Sequence, residues 1–413
     1  MTAAASAGRG AADAPHLAGL AHVATISFVA ARIAPPIGFG LSLTGGLALA
    51  RAGQSAGLRQ GYGAGLGTIL ETVAIVGPTR LGGAISQAIT APLLGRMEGD
   101  GVAPAWQVVV CVLLRFAYNA LTTAFFIWVL AGGLPAYAGT YDSIFGNLPL
   151  LPSGSLAALV ATAIGLLAWA GLASVAQVAV YRRGLRRWPR REPELLSHAA
   201  AAEPAAARAL DPRAIVLAAA VAFVLLIAST AWPLLAAVAV WLGLVWLLAR
   251  PDRFVVPAGL VLAGALAASA FLVAGIGGTG WVQAAAHALR AWLLVMTATW
   301  MRGAAGEVGF REVTQRVLGR VRRIPSVPEA AHVLDELGLG RRLGAAARSL
   351  IEALGSVRRR PLAIVDSVLA WVGQESLGFR TVEPPAAHSL VFGWRDAAMV
   401  GVAALPALAL LSG

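Results

Sequence analysis

Apolar residues along this chain gather into long blocks parted by short polar stretches, and the blocks predict helices. A helix needs about twenty apolar residues to cross a hydrocarbon core. Blocks of that order lie at 105–133, 153–181, 214–231, 233–249, 255–276, 281–301 and 390–411. The first hundred residues are less regular. Leu17 to Ala50 is one apolar run broken by Arg32, Pro35 and Pro36, which makes it a kinked span or a tight pair of short helices. Gly61, Gly63, Gly65 and Gly67 then open a segment that contains Glu71 and ends at Arg80. Glycines so spaced let helices approach closely in a membrane. Leu81 to Leu94 mixes small, apolar and polar residues and reads as an interfacial or re-entrant helix. The predicted fold is all-α: a polytopic integral membrane protein of about 8–10 membrane helices.

One stretch departs from this pattern. Residues 302–360 carry twelve arginines and six carboxylates between apolar blocks on either side. Phe310, Val313, Val317 and Val321 recur at helical spacing, with Arg311, Arg316, Arg320 and Arg323 on the other faces. Leu343, Ala347, Leu350, Ile351 and Leu354 make a second stripe, and Pro325 and Pro328 part the two runs. The insert is expected to be a pair of amphipathic helices joined by a bend, presented to a cytoplasmic partner or laid on anionic lipid. Arg302, Arg320, Arg322, Arg323, Arg358, Arg359 and Arg360 are the candidate docking residues. The last three, at a membrane boundary, also have the composition of a topology anchor.

Arginine fixes the direction of the spans. The loop 182–213 holds eight arginines and 134–152 holds none, so the first is expected in the cytoplasm and the second outside. Alternation then puts the 275–280 turn outside and 302–360 inside. The expected units are an N-terminal membrane unit at 1–181, a basic, Ala-rich linker at 182–212, and a C-terminal membrane unit at 213–413.

Composition agrees: 58% of the 413 residues are hydrophobic and 13% charged, against about a quarter charged in soluble domains. The net charge of +12 rests on arginine alone, since the chain has no lysine. That usage reads as the mark of a GC-rich genome and not as nucleic-acid binding. The single cysteine, Cys111, lies in an apolar run and excludes an internal disulfide. The six histidines lie apart from one another, no catalytic constellation stands out, and no phosphate-binding loop ends in Gly-Lys-Ser/Thr. No metal, cofactor or enzymatic activity is therefore expected. The ionisable and polar residues at membrane depth are Arg32, Glu71, Arg80, Arg115, Asn119 and Arg290. Arg115 and Asn119 stand at i and i+4 and share a face, and Glu71 is the expected partner of Arg115 or Arg32. The group is either a polar pocket for a small anionic or amphipathic solute or an ion pair that holds helices together. Trp106, Trp128, Trp232, Trp281 and Trp394 fall at span ends and read as interface anchors.

From Leu210 to near its end the chain resembles the transmembrane T component of energy-coupling-factor (ECF) importers. Leu210-Asp211-Pro212-Arg213 stands at the entry to the first span, and two closely spaced spans follow it. Arg250-Pro-Asp-Arg253, the Arg290 span with Thr297 and Thr299, Phe310 to Leu318, and Gly393-Trp-Arg-Asp396 come next in the family's order. The chain departs from the family's Ala-Arg-Gly signatures: Met301-Arg302-Gly303 keeps the Arg-Gly pair without the alanine and before the insert, and Arg358 to Arg360 is the other arginine terminus. The resemblance implies a membrane subunit of an ATP-driven importer of a small nutrient in the bacterial cytoplasmic (inner) membrane. Its partners would be ATP-binding-cassette ATPase subunits in trans and a substrate-binding membrane subunit. The N-terminal unit resembles no family. A non-enzymatic membrane scaffold that recruits a cytoplasmic partner through the basic insert is the alternative.

Overall fold

The computed structural model describes residues 14–77, 81–146, 152–188, 210–248, 256–337, 343–356, 366–372, 375 and 392–408. Every regular element among them is helical. The N-terminal half supplies α1 (Ala14–Ile33), α2 (Gly38–Ala56), α3 (Leu58–Val76), α4 (Gly82–Gly99), α5 (Pro104–Phe125), α6 (Leu134–Phe145) and α7 (Ser155–Arg186). The C-terminal half supplies α8 (Pro212–Ala228), α9 (Trp232–Leu248), α10 (Val256–Ile276), α11 (Trp281–Arg320), α12 (Val327–Glu336), α13 (Leu343–Ser356), α14 (366–372) and α15 (Trp394–Ala404).

Among the described residues, three stretches are long and apolar enough to cross a membrane: Pro104–Leu130, Ser155–Arg186 and Val256–Ile276. They expose much of their apolar surface, Leu113, Leu121, Leu156 and Leu172 among it, which suits a lipid-facing wall and not a water-facing one. All five expected tryptophan anchors are exposed as well. Shorter apolar helices cover Leu17–Ile33, Pro212–Ala228 and Trp232–Leu248. At about 1.5 Å per residue, α15 with its eleven residues is too short to cross alone, although 390–411 reads as a full span.

Two cores organise the helices. In the first, α1 and α2 are buried along most of their length and are wrapped by α3, α4 and α7. Pro35 and Pro36 part α1 from α2 through a short 3-10 turn, so the interrupted Leu17–Ala50 run is a pair of helices. Helices α2 and α4 touch backbone to backbone, because a Cβ on Gly95 would meet the Ala50 carbonyl oxygen at 1.8 Å. The second core joins α8 to α11 and α15 around Trp241 and Trp300, whose rings meet edge-on at 5.6 Å.

The expected span at 281–301 and the first helix of the insert follow one another directly. The α11 segment is two helices that meet at a kink at Gly306, whose φ of 64° favours glycine. Beyond it the insert folds back onto the N-terminal half. Val327, Ala330, Val333 and Leu334 of α12, with Ala347 and Leu350 of α13, are buried in the first core. Gly63 and Gly67, one turn apart on α3, make the seat for α12: a Cβ on Gly63 would lie 2.4 Å from that of Glu329. Glu329 also pairs with Arg59 at 2.6 Å.

The 134–152 segment, expected as a loop, is helical over α6, and Thr140 donates to the Val273 carbonyl at the end of α10. The two segments expected outside thus meet. At the other end of α7, Arg182 and Arg186 hold Glu98 at 3.1 and 2.8 Å, and Arg187 pairs with Asp366 at 2.7 Å.

Candidate functional site

The site is a cavity of about 520 Å³ in the N-terminal half. It is a half-open cleft bordered by the end of α1, the starts of α2 and α4, the end of α3, and the middles of α5 and α7, with Phe39 and Trp169 at its exposed rim. Its position follows from the helix breaks, since the α1–α2 and α3–α4 junctions place four helix ends around it. Phe28, Phe39, Val76 and Trp169 give it apolar walls; Arg32, Arg115, Tyr118, Asn119, Ser86 and Gln87 give it polar ones. No carboxylate among the described residues lines it.

Arg115 is 4% exposed. Its Nη2 donates to the Gln177 Oε1, while its Nε has no hydrogen-bond partner among the described residues. The Asn119 Nδ2 and Ser86 Oγ beside it are equally buried and unpartnered. Beneath the cavity a chain of uncharged polar groups ties α4, α5 and α7 together. Gln177 donates to Thr90 at 2.8 Å, the Cys111 thiol donates to Gln177 at 3.2 Å, and the Tyr181 hydroxyl donates to Gln87 at 2.6 Å. Cys111 is therefore a buried bridge in this chain and no reactive thiol. The start of α4 faces the cavity through Gly82, Gly83 and Ala84, and no side chain caps it.

Of the six intramembrane candidates, Arg32, Arg115 and Asn119 come together here. The expected pairing of Glu71 with Arg115 or Arg32 does not form. Glu71 is buried on the far side of α3, unpartnered, and the charges acting on it are Arg311 and Glu307 of α11. Arg290 is buried elsewhere, its Nη2 at 3.0 Å from the His287 Nδ1. Arg80 lies outside the described residues. Gln87, Gln177 and Tyr181, which the sequence reading passed over, carry no formal charge. Their signal was spacing: Gln177 and Tyr181 at i and i+4 in an otherwise apolar block.

The docking arginines divide. Arg320, Arg322 and Arg323 are exposed on the turn between α11 and α12, beside the exposed apolar Val317, Val321 and Ile324. Arg302 is turned inward, 6% exposed, and donates to the Ile75 carbonyl at 2.8 Å, so it belongs to the seam between the halves and not to an outer surface. Arg358, Arg359 and Arg360 lie outside the described residues. No group of three metal-ligating side chains occurs among the described residues. Compared with known proteins, the chain matches no family model, no curated protein and no solved structure.

Proposed function

We propose that the chain is a multi-pass protein of the bacterial cytoplasmic membrane and the transmembrane subunit of an ECF-type importer. In this reading the C-terminal half is the T-like scaffold, separate ATP-binding-cassette ATPases drive it from the cytoplasm, and the N-terminal half receives the solute. The observation that carries the reading is the exposed turn holding Arg320, Arg322 and Arg323, which follows directly on helices packed against the cavity-bearing half. A basic turn whose guanidinium groups make no ion pair among the described residues, next to exposed valine and isoleucine, suits an acidic groove on a partner. The chain has no lysine with which to build a nucleotide-binding loop of its own, so any ATP-driven activity needs that partner.

The test is affinity purification from the native membrane, alongside a variant with Arg320, Arg322 and Arg323 all changed to Glu. Solvated arginines contribute little to stability. The variant is therefore expected to express and melt as the parent does while losing the ATPase subunits that the parent retains. Recovery of the parent without any nucleotide-binding protein, when other membrane partners are kept, refutes the importer. Capture of a different partner through the same turn, indifferent to ATP, would support the scaffold alternative.

A further inference from the structure

We propose that the N-terminal cavity binds a small amphipathic carboxylate, its head held by Arg115, Asn119, Ser86 and the start of α4, and its apolar body lying against Phe28, Phe39 and Trp169. The inference takes the cavity to be the solute site of the importer proposed above and names the class of solute.

Four independent features meet on the same point. The first is charge. Arg115 lines the cavity, 4% exposed; no carboxylate among the described residues stands in the wall, and Arg115 makes no ion pair among them. A buried guanidinium without a counter-charge costs several kcal/mol on the order of membrane insertion scales, and an anionic ligand offsets that cost. The second is hydrogen bonding. The Arg115 Nε, Asn119 Nδ2 and Ser86 Oγ are buried and unpartnered, and two of the three atoms are obligate donors. Buried donors in a native fold are nearly always satisfied, so the two obligate donors, Arg115 Nε and Asn119 Nδ2, call for an acceptor beside them.

The third feature is the backbone. The eighteen-residue helix α4 turns its uncapped first turn to the cavity. Such an end carries about half a positive charge and unused N–H groups. Gly82 and Gly83 keep side chains out of the way: a Cβ on Gly83 would stand 3.2 Å from the Ser42 hydroxyl. The fourth is size and polarity. About 520 Å³ lies within the ~300–1,000 Å³ of small-molecule sites, and the aromatic walls call for an apolar body. With Gln177 already on its Nη2, Arg115 offers its remaining N–H groups to the two oxygens of a flat head, which a carboxylate supplies.

The test uses the purified full chain in detergent without ATPases, titrated calorimetrically with octanoate and 2-naphthoate and with their uncharged amides. One-site binding is expected, with at least one acid tenfold or more tighter than its amide. Arg115→Gln should weaken that binding at least tenfold, with Arg115→Lys between the two. Should Arg115→Gln fail to fold, Asn119→Leu carries the same comparison. Equal binding of acids and amides, unchanged binding in the variants, or no binding of either acid overturns the proposal. Mass spectrometry of the purified protein covers the other source of an anionic head. One phosphatidylglycerol kept per chain, lost in Arg115→Gln and not displaced by 2-naphthoate, makes the cavity a lipid site and overturns it too. Because no ATPase is present, a failure here removes the solute class and leaves ATPase co-purification to judge the importer. Loss of ATPase recovery with binding intact does the reverse.

Discussion

Asp211 shows how much a single side chain arranges where α8 begins. It caps the helix by accepting the Arg213 backbone N–H at 2.8 Å, it pairs with the Arg213 guanidinium at 2.6 Å, and its own N–H donates to Asp396 at the start of α15. Burial pushes the Asp211 carboxyl up, but the bonds from Arg213 outweigh it and hold the group below the usual carboxylate range. A depressed value means that the stabilisation is full above the unfolded value of about 4 and is lost as pH falls below it. Asp211→Ala should cost about 1–2 kcal/mol. Its melting temperature should fall below the parent's at pH 7, and the gap should close as the pH is lowered through 4 and below, read by thermal melts in detergent. An unchanged gap at low pH would mean that the ionised carboxylate is not what stabilises this end. At the same scale, Arg115 and Asn119 were legible in the sequence because a charge inside an apolar block has few innocent uses. Glu71 was legible as important but not as to its partner, since the sequence does not say that α11 passes behind α3. Gln177 and Tyr181 were not legible, because uncharged polar residues in an apolar block are also common at ordinary helix contacts.

The helices of the insert carry a different lesson. Their amphipathic stripes were plain, and the buried Ala347 and Leu350 lie on the stripe read from the sequence. What the stripe could not give was the identity of the surface it covers, which is the chain's own N-terminal half. The first run shifts in register as well. Leu318 and Arg311 face inward and Val317 and Val321 outward, so the buried face is not the valine stripe read from the sequence. The glycine run on α3 did announce a close approach, and Gly63 and Gly67 serve α12. Gly63→Val is expected to push α12 off its seat, since the added carbons would overlap Glu329 and no flexible side-chain end lies there to yield. Limited trypsin digestion reads this directly. Cleavage after Arg322 or Arg323 should proceed several-fold faster in the variant, and an unchanged rate would show that α12 tolerates the loss of its seat.

Across the whole molecule, the polar ends sort into two sets. Helix α6 meets the α10–α11 turn at one end, and Glu98, Arg186, Arg187 and Asp366 meet at the other. Placed in a bilayer by the arginine asymmetry, the first set faces outward and the second inward. In a Cys111→Ser background, Ser143→Cys should react with an impermeant maleimide added to intact cells, and Arg323→Cys only after the membrane is opened. The opposite pattern would invert the arrangement. The assignment of sides rests on arginine, which marks the ends in the sequence. The sequence did not foretell that the insert closes the first core, since that depends on contacts between residues more than two hundred positions apart, such as Arg302 with Ile75. This interleaving bears on how such a protein can be made. Translated alone, the N-terminal half would emerge with the apolar surface that Val333, Leu334 and Leu350 cover left open. Encoded as two separate polypeptides divided between 189 and 209, the halves would have to be synthesised together, each acting as the other's chaperone.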